Sequence, residues 1–140
     1  MTIEQALETY LIGVPAVAAL IVDGAGSRLY PQALPQDPVY PAVTYSVISN
    51  PVVESHGGNS ALAHPRVQFD CWSTDYIQAK TVAREIRRAL QGFKGIMGGA
   101  GGVDVDGVDF EDGSAGRDLF DDELGLHGVQ IDCVIWHDDT

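Results

Sequence analysis

The sequence predicts an α+β fold, a small four-stranded, mainly antiparallel sheet with helices packed on one face. One stretch, Arg66–Phe93, carries most of that expectation because its hydrophobic period changes midway. Val67, Phe69 and Cys71 alternate with Arg66, Gln68, Asp70 and Trp72, as a half-buried strand requires. Ala79, Val82, Ala83, Ile86, Leu90 and Phe93 then recur at spacings of three and four, which is one stripe of a helix. Ser73-Thr74-Asp75 between them supplies helix-capping residues, and Gly92 and Gly95 supply the stop. A second observation is an echo of that strand near the end of the chain. Gln68-Phe69-Asp70-Cys71-Trp72 is answered by Gln130-Ile131-Asp132-Cys133, with Trp136 four positions beyond Asp132.

Taken in order, Thr2–Ile12 reads as a first helix with Thr2 as N-cap and Ile3, Ala6, Leu7, Tyr10 and Leu11 as its apolar stripe. Gly13 ends it, and Pro15 fits the first turn of a short second helix, Ala16–Val22. A loop at Asp23–Ser27 leads to a short extended piece, Arg28–Tyr30. Pro31, Pro35, Pro38 and Pro41 then exclude helix and central strand alike, so residues 31–41 form a surface arm. Alternation returns over Ala42–Ser49, a strand. Asn50–Pro65 reads as a long hairpin-like connection, and Gly95–Gly102, with five glycines, as a flexible or tightly turning one. Val103–Phe110 alternates apolar and acidic residues until Gly107 breaks the register, the mark of a strand with a bulge or bend. Glu111–Gly125 reads as a loop with at most one helical turn at Asp118–Leu124, and Val129–His137 as the last strand.

The 140 residues are expected to make one domain, 1–140, with the proline-rich arm at 31–41 and an acidic Gly/Asp-rich segment at 98–125. Its 45% hydrophobic and 20% charged residues are ordinary for a globular chain, and no apolar run approaches the ~20 residues needed to span a bilayer. The N-terminus carries Glu4 and Glu8 and no basic residue, unlike a secretory signal, so the expected compartment of synthesis is the cytosol. Cys71 and Cys133 read as reduced, buried thiols, because a disulfide requires neighbouring strands in matching register.

The net charge of -12 is unevenly placed. Residues 1–102 hold 8 acidic and 7 basic side chains, whereas 103–140 hold 12 acidic and one basic, Arg117. Lys80, Arg84, Arg87, Arg88 and Lys94 cluster on or just after the central helix. Such asymmetry suits contacts between copies or with charged partners better than general nucleic-acid binding. The candidate contact residues are therefore Arg84, Arg87 and Arg88 against Asp109, Glu111 and Asp112, with Trp72 and Trp136 as aromatic candidates on the sheet face opposite the core.

No catalytic, cofactor or metal site is expected. His56, His64, His127 and His137 fall in loops or at strand ends, away from any ligand partner, and read as solvated. Ser46, Ser55 and Ser60 lack a GxSxG elbow, and Gly98–Gly102 lacks the Lys-Ser/Thr of a phosphate loop. The acidic run from Asp104 departs from the calcium-loop pattern, with glycine at its fourth position and Ala115 where the twelfth-position glutamate belongs.

Three segments taken together resemble a known family. They are Val39-Tyr40-Pro41-Ala42-Val43-Thr44-Tyr45, the unit Arg66–Trp72 with its Ala79-Lys80 helix, and Val129-Gln130-Ile131-Asp132-Cys133-Val134. In that order, behind an N-terminal helix, they look like the tail-completion, or tail-terminator, proteins of long-tailed bacteriophages and prophages. The resemblance implies a structural virion protein at the head–tail junction and no enzyme. It implies a ring, commonly of six copies, that caps the tail tube protein and meets the head connector or stopper proteins. DNA would pass through the ring without sequence-specific binding, and no membrane would be involved. The alternative from composition alone is a small acidic binding module that occupies a basic partner, as nucleic-acid mimics do.

Overall fold

The structure is a computed structural model that describes residues 1–24, 26–50, 52–54, 61–110 and 116–138. Two helices open the chain, α1 (Ile3–Gly13) and α2 (Pro15–Ile21), followed by a small hairpin of β1 (Val22–Asp23) and β2 (Gly26–Ser27). Then come β3 (Leu29–Pro31), β4 (Ala42–Ser49), β5 (Val52–Glu54), β6 (Ala61–Ala63) and β7 (Arg66–Ser73). Helix α3 (Tyr76–Leu90) is followed by β8 (Gly95–Met97), β9 (Val103–Phe110), β10 (Arg117–Asp121) and β11 (Leu126–Asp138).

The four expected strands are present as β4, β7, β9 and β11, but the small four-stranded sheet is not. Nine strands join in one mixed sheet, β3 to β11, with β3 and β4 parallel. The added strands come from segments whose patterns are too short or too polar to read. β5 and β6 pair within the connection expected to be a hairpin, and β8 arises inside the glycine-rich stretch. Arg117–Asp121, expected to be a loop with a helical turn, is instead β10, paired residue for residue with Leu126–Gln130 of β11. The sheet is better seen as a few long lines, each broken once. β6 and β7 run along one edge of β11, and β10 and β9 run along the other. The break at Gly107 is real. Trp136 faces Gly107 and His137 faces Val105, so Asp106 is the extra residue of a bulge.

The proline arm has a topological task. Parallel neighbours cannot be joined by a tight hairpin. Residues 32–41 carry the chain from β3 back to the start of β4. Arg28 holds the two ends of this arrangement together. Its Nε donates to Pro41 O at 2.8 Å, Nη2 donates to Leu20 O at 2.8 Å, and Nη1 pairs with Asp23.

Local chemistry explains the helix ends. Thr2 Oγ1 accepts from Gln5 N at 3.2 Å while Gln5 Oε1 accepts from Thr2 N at 2.8 Å, a capping box that starts α1. Pro15 takes the first position of α2. Asp75 is the N-cap of α3 but makes no side-chain cap bond. Ser73 Oγ instead accepts from Asp75 N at 3.0 Å and donates to Gln78 Oε1 at 2.6 Å, tying the end of β7 to the first turn. Arg87 and Arg88 occupy the last turn of α3, where the helix dipole favours cations.

Helix α3 lies over β7 and β11, with Ala79, Val82, Ala83, Ile86 and Leu90 buried against Val67, Phe69, Cys71, Val129, Ile131 and Cys133. Phe93 lies beyond the helix and packs edge-on to Tyr10 with ring centroids 4.7 Å apart. The two thiols face this core from adjacent strands. Cys71 lies opposite Val129, and Cys133 lies opposite Val67, so they are out of register for a disulfide and stay free. Burial, with a smaller contribution from Asp132, pushes the Cys133 thiol up to about 12, and burial raises that of Cys71 further. Neither thiol is reactive at neutral pH.

This packing makes a sided prediction. Phe69→Ala and Ile86→Ala should each lower unfolding stability by about 2–5 kcal/mol in chemical denaturation. Gln68→Ala, on the other side of β7, should cost less than about 1 kcal/mol.

Candidate interaction surfaces

The sheet face turned away from α3 is built by alternation alone. Because Phe69 and Ile131 are paired and point into the core, their neighbours on both strands point outward. The echoed segments prove to be antiparallel partners centred on that pair. Asp70 stands opposite Gln130, and Gln68 stands opposite Asp132. Gln130 Nε2 donates to Asp70 Oδ1 at 3.0 Å, and Arg117 Nη2 donates to Gln130 Oε1 at 2.5 Å. With Thr44 opposite Asp70, one polar row crosses β4, β7, β11 and β10. The aromatic candidates sit at the two ends of this face and are already engaged within the chain. Trp72 lies over Gly128, where an added Cβ would stand 2.7 Å from its ring. Trp136 stacks on His64 with centroids 4.4 Å apart.

A second cluster forms where β10 reaches the first turn of α3. Tyr76 Oη donates to Asp118 Oδ2 at 2.8 Å, Lys80 pairs with the same carboxylate, and Lys80 Nζ stands 5.4 Å from the Tyr76 ring centre. His127 lies against Tyr76 and Phe120, with centroid distances of 5.7 and 4.9 Å. Lys80, and next Tyr76, hold the Asp118 carboxyl below its ordinary range, and Asp118 in turn raises Lys80. Sequence reasoning missed this cluster because its partners lie 42 residues apart and β10 was expected to be a loop.

The expected charged contacts are separated within one copy. Arg84 and Arg88 are exposed on the outer side of α3, Arg88 near Glu85 at 3.8 Å, and Arg87 donates to Gln91 Oε1 at 3.3 Å. Asp109 is exposed and opposite Val134, on the far face of the sheet. Glu111 and Asp112 lie outside the described residues, as does His56. The other three histidines lie in a loop or near the ends of a strand, as expected, but they are not simply solvated. His64 and His127 are in ring contacts, and His137 is 4% exposed because it continues the inward alternation of Ile131, Cys133 and Ile135 and is flanked by Ala63 and Val105 on the two edges of β11. Among the described residues, no group of three or more His, Cys, Asp or Glu is placed to hold a metal ion. Among the described residues, no helix is long and apolar enough to cross a membrane.

Two comparisons with known proteins bear on these surfaces. The family described as Tail completion protein gp17 matches residues 5–138. Among solved structures, a chain from the "Virion of native gene transfer agent (GTA) particle" superposes with a TM-score of 0.66 at 17% identity. The match covers 96% of this chain and 93% of that one, and at such low identity the likeness is one of fold. No curated protein matches the sequence.

Two outcomes are expected from this geometry. Gly128→Ala must displace the Trp72 ring, so its tryptophan emission should shift toward that of exposed indole and its stability should fall, read by fluorescence-monitored unfolding. The lowered Asp118 pKa gives a contribution present above the unfolded carboxylate value of ~4 and lost as pH falls through the lower folded value. The stability gap between wild type and Asp118→Asn should therefore be widest near neutrality and close in acid, measured by denaturation at a series of pH values.

Proposed function

Because the chain belongs to the family described as Tail completion protein gp17, it is a structural protein of a phage-type virion, and we propose that it ends a tail tube as a closed ring. In this reading six copies sit on the tail tube protein and present their other side to the connector proteins of the head. The observation that carries it is the division of charge on one small chain. Arg84, Arg87 and Arg88 project from the outer side of α3, while the net charge is -12 and Asp104, Asp106 and Asp109 are exposed along β9. A patch that meets a different patch on the next copy gives a heterologous contact, and heterologous contacts close into rings when the rotation between copies allows. An acidic surface around a conduit also lets DNA pass without adhering.

Each exposed ion pair contributes only ~0–1 kcal/mol, but a ring repeats it at every interface. The purified chain, alone at high concentration or mixed with tail tubes, should form rings by mass measurement and electron microscopy. Raising the salt concentration should weaken them. Arg87→Glu with Arg88→Glu should prevent assembly while leaving the unfolding transition in place, since neither side chain belongs to the buried stripe. A chain that stays monomeric and never decorates tube ends would remove the ring reading.

A further inference from the structure

We propose that the turn between β10 and β11 of one copy docks, head to tail, into the groove at the β8 end of the next copy. This rests on the ring reading and names the surfaces that would build it.

The two surfaces lie at opposite ends of the same strand. The turn, residues 122–125, immediately precedes the first residue of β11. β8 pairs with β9, whose Val105 stands opposite His137 near the last residue of β11. Thirteen extended residues span roughly 40 Å at ~3.3 Å each, so the turn and the groove of one copy cannot reach each other. Helix α3 runs the same way, with Tyr76 at the turn's strand and Phe93, just past its C-terminus, at the groove.

The turn is a built, convex feature. Asp121 Oδ1 accepts from the backbone of Glu123 at 3.0 Å and of Leu124 at 3.2 Å, and Gly125 takes the left-handed φ of 65° that closes the loop. This holds Leu124 outward at 67% exposure beside Phe120 at 57%, with Asp122 and Glu123 exposed between them. The groove is concave and of the opposite character. It measures 330 Å³ and is lined chiefly by Tyr10, Val14, Phe93 and Ile96, with glycine at Gly98 and Gly99. Ile96 is 57% exposed there, and Lys94 and Arg88 are exposed close by in sequence, after and in the last turn of α3. Two acids flanked by exposed apolar side chains thus face an apolar groove that has Arg88 and Lys94 near its residues in sequence and Asp104 paired opposite Ile96. Two acidic turns would repel each other, which favours the unlike contact that a ring needs.

The test places one cysteine on each surface, Leu124→Cys and Ile96→Cys, with native Cys71 and Cys133 buried and inert. Under mild oxidation at concentrations where rings form, the double variant should give a ladder of cross-linked species. The two single variants mixed in equal amounts should stop at dimers, and neither alone should cross-link. Phe120→Asp with Leu124→Asp should raise the concentration needed for assembly by at least about tenfold, as loss of a central apolar anchor does. Rings that form without the ladder and tolerate the aspartates would overturn this docking while leaving the ring intact. Cross-linking by one single variant alone would overturn it in favour of a like-to-like contact. Absence of rings from the wild-type chain, in solution and on tubes, would remove both the ring and this interface.

Discussion

Residues 126–138 form one unbroken strand in the middle of the sheet, and both of its edges must find hydrogen-bond partners because its inward side is buried. Four other strands satisfy that demand, β7 and β6 on one side and β10 and β9 on the other. The rest of the architecture follows from where those partners break. β6 and β7 are separated at His64-Pro65, while β9 and β10 are separated by residues 111–116. Helix α3 can cover only the part of the strand where Val129, Ile131 and Cys133 line the core beside β7. The start of β11, just after the acidic turn, meets Tyr76 in the first turn of α3, and its far end at His137 lies beside the start of α1 and near β8.

That geometry accounts for the separation of charge. The apolar stripe of α3 is turned inward, so its arginines have only the outer side to occupy. The acids of β9 alternate with buried valines and so line the opposite face, and those of the turn sit at a strand end where no packing constrains them. Apart from Lys80, which pairs with Asp118, the bases of α3 and the acids of β9 lie on different faces of one copy. In the proposed ring, each copy would find on its neighbour the charges it does not meet within itself.

The contacts within one copy are as informative as the exposed ones. Trp72 fills the space left by Gly128, and Trp136 stacks on His64, so two aromatic residues that seemed available for a partner are partly spent on the fold. The exposed apolar side chains lie elsewhere, on the turn at Phe120 and Leu124 and beside the groove at Ile96. An amino-acid pattern distinguishes inward from outward along a strand, but it does not reveal which outward side chains a neighbouring strand covers.

Local periodicity was enough to recognise α1, α2, β4, β7, α3 and the bulge at Gly107, because each repeats its apolar residues over at least a turn or several alternations. The same signal singled out the arginines of α3 as outward-facing and Cys71 and Cys133 as core residues. It failed for β5, β6, β8 and β10, which are three to five residues long and too short to show a period. Asp118 and Phe120 became strand residues only because the length of β11 offered them backbone partners. The echo of Gln-x-Asp in two segments was legible, but that they pair with each Gln opposite an Asp was not, since register is decided by the packing of Phe69 against Ile131 across 62 residues. Sequence alone determined which side chains had to be buried. The tertiary structure decided which strands met, and therefore where the remaining polar and apolar surface came to lie.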